Sequence, residues 1–541
     1  MSEPGPASAA RPAGLLGAFE PLREPVFRWL WLAWLAANIC MGMHDVAAAW
    51  LMVSLTHEPL WVALVQTAST LPMFLLGLPS GALADIVDRR RYFAATQLWA
   101  ALIALVLVAV SLSGHITATG LLLLTFLNGI TMAMRWPTFS AIVPSIVSRE
   151  RLPAALALNG LAMNLPRIVG PAIAGGLLAA AGPQLVFGLN AVLSLVAFWL
   201  IVRWRAQQPQ RALPGERFVG AMRVGLQHVR QNPRVKAGLL RIALLMLQMS
   251  SLMALLPLVA KAWPGAGAGS FTALLAAAGG GGVLMVLLMP GLRARFDRDA
   301  FVRAGTLAHA ASAVVVALAP NVWVAFPAMV VAGAAVLASA NSTAVSVQLA
   351  LPDWVRARGM SVYQMSLMGG AAGGAAFWGQ FAGMYSVRTA ILAGAAFGVV
   401  VTLFTRHVSV AGGGLDEHRP APPAGVVPEP AEPVDPDAGP VMVTVEYRIA
   451  PAQAGEFAEV MRETRAARLR QGALSWGLFR DAAVPGRYVE YFVDETWVEH
   501  LRRLERFTAG DQALRQRRLA LHQGPEPPLV RRYVSEPMDQ P

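Results

Sequence analysis

The sequence predicts an all-α membrane protein with twelve transmembrane helices in two six-helix halves, followed by a small C-terminal α+β domain. Of its 541 residues 55% are hydrophobic and 14% charged, against roughly 25% charged in soluble domains. Residues 92–134 and 304–352 contain no Asp, Glu, Lys or Arg. Because about 20 apolar residues cross a bilayer as a helix, each of these runs holds two crossings. Continuous apolarity excludes a β-barrel, and the single Cys40 excludes a disulfide-stapled secreted domain.

Composition and an internal repeat divide the chain into six parts. These are an N-terminal tail (1–26), a first six-helix half (27–204), a connecting loop (205–235), a second six-helix half (236–406), a Pro/Gly-rich linker (407–440) and the C-terminal domain (441–536). The repeat pairs Asp88-Arg89 with Asp297-Arg298. Two parallel halves of this kind are the architecture of a transporter that rocks about a central substrate site.

Basic residues lie on one side of the predicted membrane. Residues 1–409 carry a net charge of about +16, and residues 410–541 carry −4. Arginines fill the short loops on the side of both termini, whereas the other side has only Lys261 and Arg388. The excess of Arg and Lys on one side places both termini in the cytoplasm. Since the basic residues flank apolar spans and form no stripe with aromatics, they do not indicate nucleic-acid binding, and the N-terminus does not resemble a cleavable signal peptide.

One carboxylate lies inside the first crossing. Asn38, Gly42 and Asp45 follow helical spacing and share a face, with His44 about 100° away. A carboxylate beside a histidine is able to take up and release a proton near neutral pH. Asp45 and His44 are therefore candidates for proton coupling, and a structural or gating role for Asp45 is the alternative.

Two arginines also lie inside crossings, Arg135 in the fourth and Arg167 in the fifth. Each shares a helix face with an asparagine and needs a partner or a wet cavity, because an unpaired guanidinium in a bilayer is costly. Asp45 or backbone carbonyls are candidate partners of Arg167. Arg241 is interpreted as an anchor that reaches the interface. The predicted substrate cavity comprises Asn38, Asn128, Arg135, Asn164, Arg167, Gln248 and Asn341.

Residues 81–91, GALADIVDRRR, resemble the signature of the major facilitator superfamily between its second and third helices. The resemblance implies that Gly81 allows close packing and that Asp85, with Arg89 and Arg90, latches one conformation. Gly170-Pro171, followed by Gly175-Gly176, is similar to the exporter signature of the fifth helix and implies antiport.

A narrower resemblance is to the transmembrane secretion effector branch, which includes the enterobactin exporter. It depends on Trp50-Leu51-Met52, Ala157-Leu158-Asn159 and residues 167–171, RIVGP. The resemblance implies proton-driven efflux of a small molecule across a bacterial inner membrane. It does not identify the molecule or settle export against import.

The C-terminal domain resembles the ferredoxin-like fold of antibiotic-biosynthesis monooxygenases, through Trp476, residues 487–490 (RYVE) and residues 497–500 (WVEH). This resemblance implies a docking, dimerising or regulatory module. His500 is a candidate base, although a histidine on an Arg-rich helix is more often solvated. The sequence contains no metal-ligand spacing and no phosphate-binding loop, so we predict no metal, no cofactor and no enzyme. A membrane-tethered enzyme and a transporter-like sensor are the alternatives.

Overall fold

The computed structural model describes residues 17–148, 151–203, 218–265, 267–293, 295–407 and 430–536. The helices of the first half are α1 (Pro25–Leu55), α2 (Pro59–Ile86), α3 (Arg89–Leu112), α4 (Ala118–Ile146), α5 (Leu152–Asn164), α6 (Pro166–Ala181) and α7 (Pro183–Arg203). Helix α8 (Phe218–Gln231) belongs to the connecting loop. The second half contains α9 (Pro233–Met253), α10 (Leu256–Ala262), α11 (Ala268–Arg293), α12 (Arg298–Leu318), α13 (Val322–Leu349), α14 (Asp353–Met384) and α15 (Val387–Phe404).

Eleven helical segments of these described ranges are long and apolar enough to cross a membrane. Helix α14 is not among them, although its 32 residues exceed the thickness of a bilayer. It carries Gln364, Ser366 and several glycines in place of large apolar residues. The predicted number of twelve crossings therefore depends on α14.

Proline interrupts two of the predicted crossings. The candidate spans Ala154–Ala181 and Pro233–Ala262 each consist of two helices, α5 with α6 and α9 with α10. Pro166 stands at the start of α6, and Pro257 lies in the first turn of α10. Because proline has no backbone N–H, the hydrogen bonding of the longer helix is broken at these points.

The two halves share one apolar core at only one end of the bundle. At the end far from residue 25, a single cluster joins Met43–Val53 and Phe187 of the first half to Leu252–Ala260 and Met329 of the second. At the end where α1 begins, each half has its own cluster, one around Trp34 and Phe139 and another around Ile242 and Tyr363. This packing describes a bundle that is closed at the far end.

Glycines permit the tightest helix contact in the second half. A Cβ on Gly281 of α11 would collide with the carbonyl group of Val330 on α13, and one on Gly333 would collide with the carbonyl group of Ala278. The obstacles are backbone atoms, which cannot rotate away. These two glycines therefore set the distance between α11 and α13.

The C-terminal domain is a four-stranded antiparallel sheet of order β2-β3-β1-β4. Its elements are β1 (Val441–Arg448), α16 (Ala454–Arg470), β2 (Ser475–Arg480), β3 (Arg487–Asp494), α17 (Trp497–Glu505), α18 (Ala509–Ala520) and β4 (Leu529–Val534). Alternate residues of β1, Val441, Val443, Val445 and Tyr447, are buried against Phe457 and Val460 of α16. The region predicted as a small α+β domain therefore contains a four-stranded sheet with helices.

We expect Gly281→Ala to destabilise the protein by about 1–3 kcal/mol, because the added methyl overpacks a contact with backbone atoms. Gly280→Ala is the matched control, since a Cβ at Gly280 has no neighbour within 4 Å. Thermal unfolding in detergent, followed by size-exclusion chromatography, measures both. Equal melting temperatures for the two variants would contradict the close contact.

Candidate functional site

Asp45 lies within α1 and is held by a neutral hydroxyl. Ser69 Oγ, on α2, donates a 2.8 Å hydrogen bond to Asp45 Oδ1. No Lys or Arg side chain forms an ion pair with Asp45 in the part of the chain that the structure describes. One turn earlier, Gly42 packs against α6, since a Cβ there would lie 3.3 Å from the Pro166 carbonyl oxygen. The α1 face predicted from the sequence thus meets α2 and α6.

His44 packs against an aromatic residue of another helix, away from the Ser69 hydroxyl that binds Asp45. Its ring is buried, with its centroid 5.6 Å from that of Phe187 on α7. Neither ring nitrogen has a hydrogen-bond partner within the described ranges. The structure therefore does not show the predicted partnership between His44 and Asp45.

Arg135 is buried in the first half, with 3% of its surface exposed. Its guanidinium lies 5.4 Å from the centroid of the Trp34 ring, and Nη2 is 3.6 Å from Met132 Sδ. Among the described residues no carboxylate forms an ion pair with it, and its Nε has no acceptor. The neighbouring polar cavity is lined by Cys40, Asn128, Thr131, Asn190, Ser194 and Arg135. Arg135 and Asn128 thus come together as predicted.

Asn164 and Arg167 flank the interruption between α5 and α6. Asn164 Nδ2 donates to the Gly160 carbonyl at 2.8 Å, within its own helix. The Arg167 side chain is exposed, and its backbone packs on α11, because a Cβ on Gly279 would lie 2.6 Å from the Arg167 carbonyl oxygen. Arg167 therefore stands where the two halves meet, and the described contacts include no ion pair with Asp45.

Three predicted cavity residues are bound to protein groups. Gln248 is buried, and its Nε2 donates to the Thr306 carbonyl at 3.2 Å, so it lies between α9 and α12. Asn341 Oδ1 accepts a 3.0 Å bond from Arg293 at the end of α11. Asn38 Nδ2 donates to the Trp34 carbonyl of its own helix at 3.0 Å. These contacts occupy polar groups that we expected to face a substrate.

Arg241 is not the interfacial anchor that the sequence suggested. Only 4% of its surface is exposed, and Nη1 donates a 2.6 Å hydrogen bond to Asp299 Oδ1. Nη2 donates to the Thr405 carbonyl at 2.7 Å. Burial of the guanidinium is tolerated because a carboxylate on α12 balances its charge. Asp299 was not identified from the sequence as the partner of Arg241. Its position in the first turn of α12, directly after Asp297-Arg298, is the signal that indicates it.

The predicted latch is described only in part. Asp88 caps α3 by accepting a 2.9 Å bond from the Arg91 amide, and Arg90 Nη2 donates to the Val202 carbonyl. The side chains of Gly81, Asp85 and Arg89 lie outside the described residues. The latch therefore stays a prediction.

Glu490 is the centre of a buried ionic cluster in the C-terminal domain. Its carboxylate accepts hydrogen bonds from Arg468 Nε (2.9 Å), Tyr447 Oη (2.9 Å) and Trp476 Nε1 (3.0 Å). Burial alone would raise the pKa of this carboxyl, but the charges of Arg468 and Arg518, with these hydrogen bonds, lower it to about 2. Glu490 is therefore ionised at neutral pH and belongs to the domain core.

His500 is held in a second buried cluster. Its Nδ1 lies 2.8 Å from Asp494 Oδ2, and its Nε2 accepts from Arg532 Nε at 3.2 Å. Burial lowers the pKa of the imidazole, which favours the neutral form that donates from Nδ1. His500 is therefore not solvated as expected, and with both nitrogens engaged it is not available as a base.

We expect Glu490→Gln to destabilise the domain by about 3–5 kcal/mol, because Arg468 is left buried without its counter-charge. In the wild type, the pKa of the Glu490 carboxyl is about 2 in the folded protein, against 4.5 for the ordinary group. The ionised cluster therefore stabilises the domain fully above about pH 4.5, and this stabilisation is lost as the pH falls towards 2. Hydrogen exchange of β3 and α16 in the full chain measures both effects.

Glu446→Gln is the matched control, since Glu446 pairs with the partly exposed Arg487 on the other face of the sheet. We expect a loss below about 1 kcal/mol there. Similar losses for both variants would show that the buried cluster is not what stabilises the domain.

Comparison with known proteins relates the chain to membrane transporters. The family model described as transmembrane secretion effector matches residues 16–540. The Staphyloferrin A transporter of Staphylococcus aureus is 26% identical over 157 residues, which are 29% of this chain and 40% of that protein. The Enterobactin exporter EntS of Shigella boydii is 25% identical over 245 residues, which are 45% of this chain and 58% of that protein. The chain thus matches about half of the length of these relatives.

Solved structures share the fold. The nucleoside transporter NupG superposes with a TM-score of 0.56 at 14% identity, covering 71% of this chain and 98% of that one. A bacterial homolog of the human lysosomal transporter Spinster, in an inward-facing and occupied conformation, gives a TM-score of 0.58 at 17% identity. This second match covers 73% of this chain and 98% of the other.

Proposed function

Because the chain belongs to the transmembrane secretion effector family, and is a membrane transporter of the major facilitator type rather than an enzyme, we propose that it exports a small acidic molecule in exchange for protons. The observation that carries this proposal is the carboxylate of Asp45, which is bound by a hydroxyl and by no cation of the described chain. A carboxylate without a fixed counter-charge is free to change protonation during a transport cycle. His44 is at most an indirect contributor, since its ring faces Phe187.

The charges of the first half favour an acidic substrate. Arg135 and Arg167 have no carboxylate partner among the described residues, and Asp45 is bound to Ser69. Positive charge is thus in excess inside the first half, and an anion that enters the cavity would balance it. The names of the siderophore transporters among the relatives agree with this chemistry. Arg167, being accessible, is the first contact, with Asn164 of the same helix face beside it, and Asn128 lines the cavity with Arg135.

The proposed topology has twelve crossings, with α14 as the eleventh. This helix packs between α2 and α9, so protein and not lipid covers much of its surface, and low apolarity is tolerated. The arginine distribution supports a topology with both termini in the cytoplasm of a bacterium, at its inner membrane. The closed far end is then periplasmic, as expected for a conformation that faces the cytoplasm.

We infer that the C-terminal domain is ferredoxin-like, since its strand order and its helices on one face match that arrangement. The other face of the sheet is open and exposes Met442, Phe479, Leu529 and Tyr533. An open apolar face of a small sheet is suited to pairing with a second copy. Homodimerisation through this face is therefore part of the proposal.

We expect Asp45→Asn to abolish compound-dependent proton movement while insertion into the membrane is unchanged. The amide keeps the shape and the bond to Ser69 but does not carry a proton. Energised inverted vesicles containing a pH-sensitive dye and a panel of acidic compounds supply the measurement. Asp297→Asn, the same change at the exposed start of α12, is the control. Proton movement retained in Asp45→Asn at every pH would refute the assignment.

We expect Arg167→Gln to raise the KM for an acidic compound roughly tenfold or more, because a charge-assisted hydrogen bond contributes about 1.5–3 kcal/mol. The KM for a neutral compound should change far less. Uptake of labelled compound into the same vesicles gives both values. Arg388→Gln, an exposed arginine at the far end, controls for loss of charge. If both compounds are affected equally, Arg167 does not select for acidity.

A further inference from the structure

Helix α8 lies between the membrane helices and the C-terminal domain. On one side, Gly225 packs against Arg358 of α14, since a Cβ there would lie 3.0 Å from the Arg358 Cβ. On the other side, Arg223 Nη2 donates a 2.6 Å hydrogen bond to Glu495 Oε2 in the C-terminal domain. Beside this ion pair, Val224 of α8 lies against Gly472 of the C-terminal domain. The C-terminal domain therefore rests on the connecting loop of the transporter.

A cleft remains open where these three parts meet. Its walls include His228 of α8, Trp354 of α14, and Arg470, Arg506, Thr508 and Asp511 of the C-terminal domain. Its cavity volume is about 70 Å³, and its mouth is open to solvent. Clefts between domains are common places for small-molecule sites. This one is separate from the cavities of the membrane helices.

The charge of the cleft favours an anion. Two guanidinium groups line it, against one carboxylate, Asp511. The guanidinium of Arg506 is already bonded to Glu499 Oε2 at 2.8 Å and to the Gln471 carbonyl at 3.1 Å, so Arg470 carries the preference. Asp511 is already used in the capping box of α18, where its Oδ2 accepts bonds from the amide and the hydroxyl of Thr508. Arg470 meets it only through a 3.6 Å contact and leaves 33% of its side chain exposed. The guanidinium of Arg470 therefore has donors available to a ligand.

The helix end adds to this preference. Gly510, in the first turn of α18, lines the cleft. The Asp511 amide is bonded to Thr508 Oγ1, so the amides of Ala509 and Gly510 are the ones of this turn that lack an acceptor within the helix. Together with the dipole of the 12-residue helix, they attract negative charge. The site therefore offers both a charged side chain and a helix terminus to one anion.

Polar atoms in the walls also lack partners. Trp354 Nε1 and Gln471 Oε1 line the cleft region, are buried, and have no hydrogen-bond partner among the described residues. Both atoms are covered in this arrangement, so a ligand would reach them after a small side-chain rotation. The first is a donor and the second an acceptor. A ligand that satisfies both needs anionic oxygens and a hydroxyl.

We propose that this cleft binds a small hydroxyl-bearing anion, either a hydroxycarboxylate or a hydrogen phosphate, between the C-terminal domain and the membrane helices. Arg470 and the first turn of α18 bind the anionic oxygens. Gln471 Oε1 accepts from the hydroxyl, and Trp354 Nε1 donates to an anionic oxygen. A ligand held by α16, α18 and Trp354 of α14 together stabilises the docked position of the C-terminal domain.

The test is isothermal titration of the purified full chain in a neutral detergent, with citrate and inorganic phosphate as probes. Saturable binding of at least one probe is expected. Arg470→Gln should weaken it roughly tenfold or more, while Trp354→Phe, which removes the indole N–H together with part of the ring that packs on Arg506, should weaken it less. Arg462→Gln is the control, because Arg462 lies on α16 as well but is 75% exposed.

Several outcomes would overturn the proposal. These are the absence of saturable binding by either probe, or equal affinities for the wild type and a folded Arg470→Gln. If Arg470→Gln does not fold, an affinity of Trp354→Phe equal to that of the wild type would overturn the proposal instead. Nanodiscs made with phosphatidylcholine or with phosphatidylglycerol distinguish the source of a phosphate: loss of probe binding only with the anionic lipid assigns the site to a headgroup. Because binding is measured without transport, this result is independent of the proposed export function.

Discussion

A charge inside a membrane protein has to be paired, hydrogen-bonded or hydrated, and this constraint organises the interior of the chain. Arg241 satisfies this constraint by forming an ion pair with Asp299 between α9 and α12. Asp45 meets it with the hydroxyl of Ser69. Arg135 meets it only with the ring of Trp34 and a weak contact to Met132. The three solutions differ in how much charge they leave uncompensated, and the two groups proposed to act in transport are those without an ion-pair partner among the described residues.

The close packing of the bundle follows from a second constraint. Helices in lipid gain little from hydrophobic association, so small residues that let backbones approach supply much of the stability. Gly281 and Gly333 do this between α11 and α13 within one half, and Gly279 does it against Arg167 across the two halves. The contact at Gly279 places a charged residue where the two halves meet, on the surface across which the halves of a rocking transporter move.

The sequence allowed the helices to be predicted, because length and apolarity decide them locally. The interruptions at Pro166 and Pro257 were also readable in principle, since proline removes a backbone donor wherever it occurs. The neighbours that polar side chains contact were harder to predict from the sequence. Gln248 shares a helix with Arg241, yet its amide binds the Thr306 carbonyl on α12. Helical spacing identifies the face on which a residue lies, but not the neighbour that covers that face. His500 was misjudged for the same reason, because its burial depends on Asp494 and Arg532 from two different strands.

The two halves resemble each other in architecture but not in charge. In the second half, Arg241 and Asp299 balance each other. In the first half, the described charges inside the bundle leave an excess of positive charge at Arg135 and Arg167. In the proposed function, the first half binds the substrate and the proton, and the second half supplies a surface against which it moves. The C-terminal domain contacts α8 of the connecting loop and Trp354 of the second half, with Arg506 lying 4.9 Å from the ring of Trp354. The proposed substrate site and the Trp354 contact thus lie in opposite halves of the bundle.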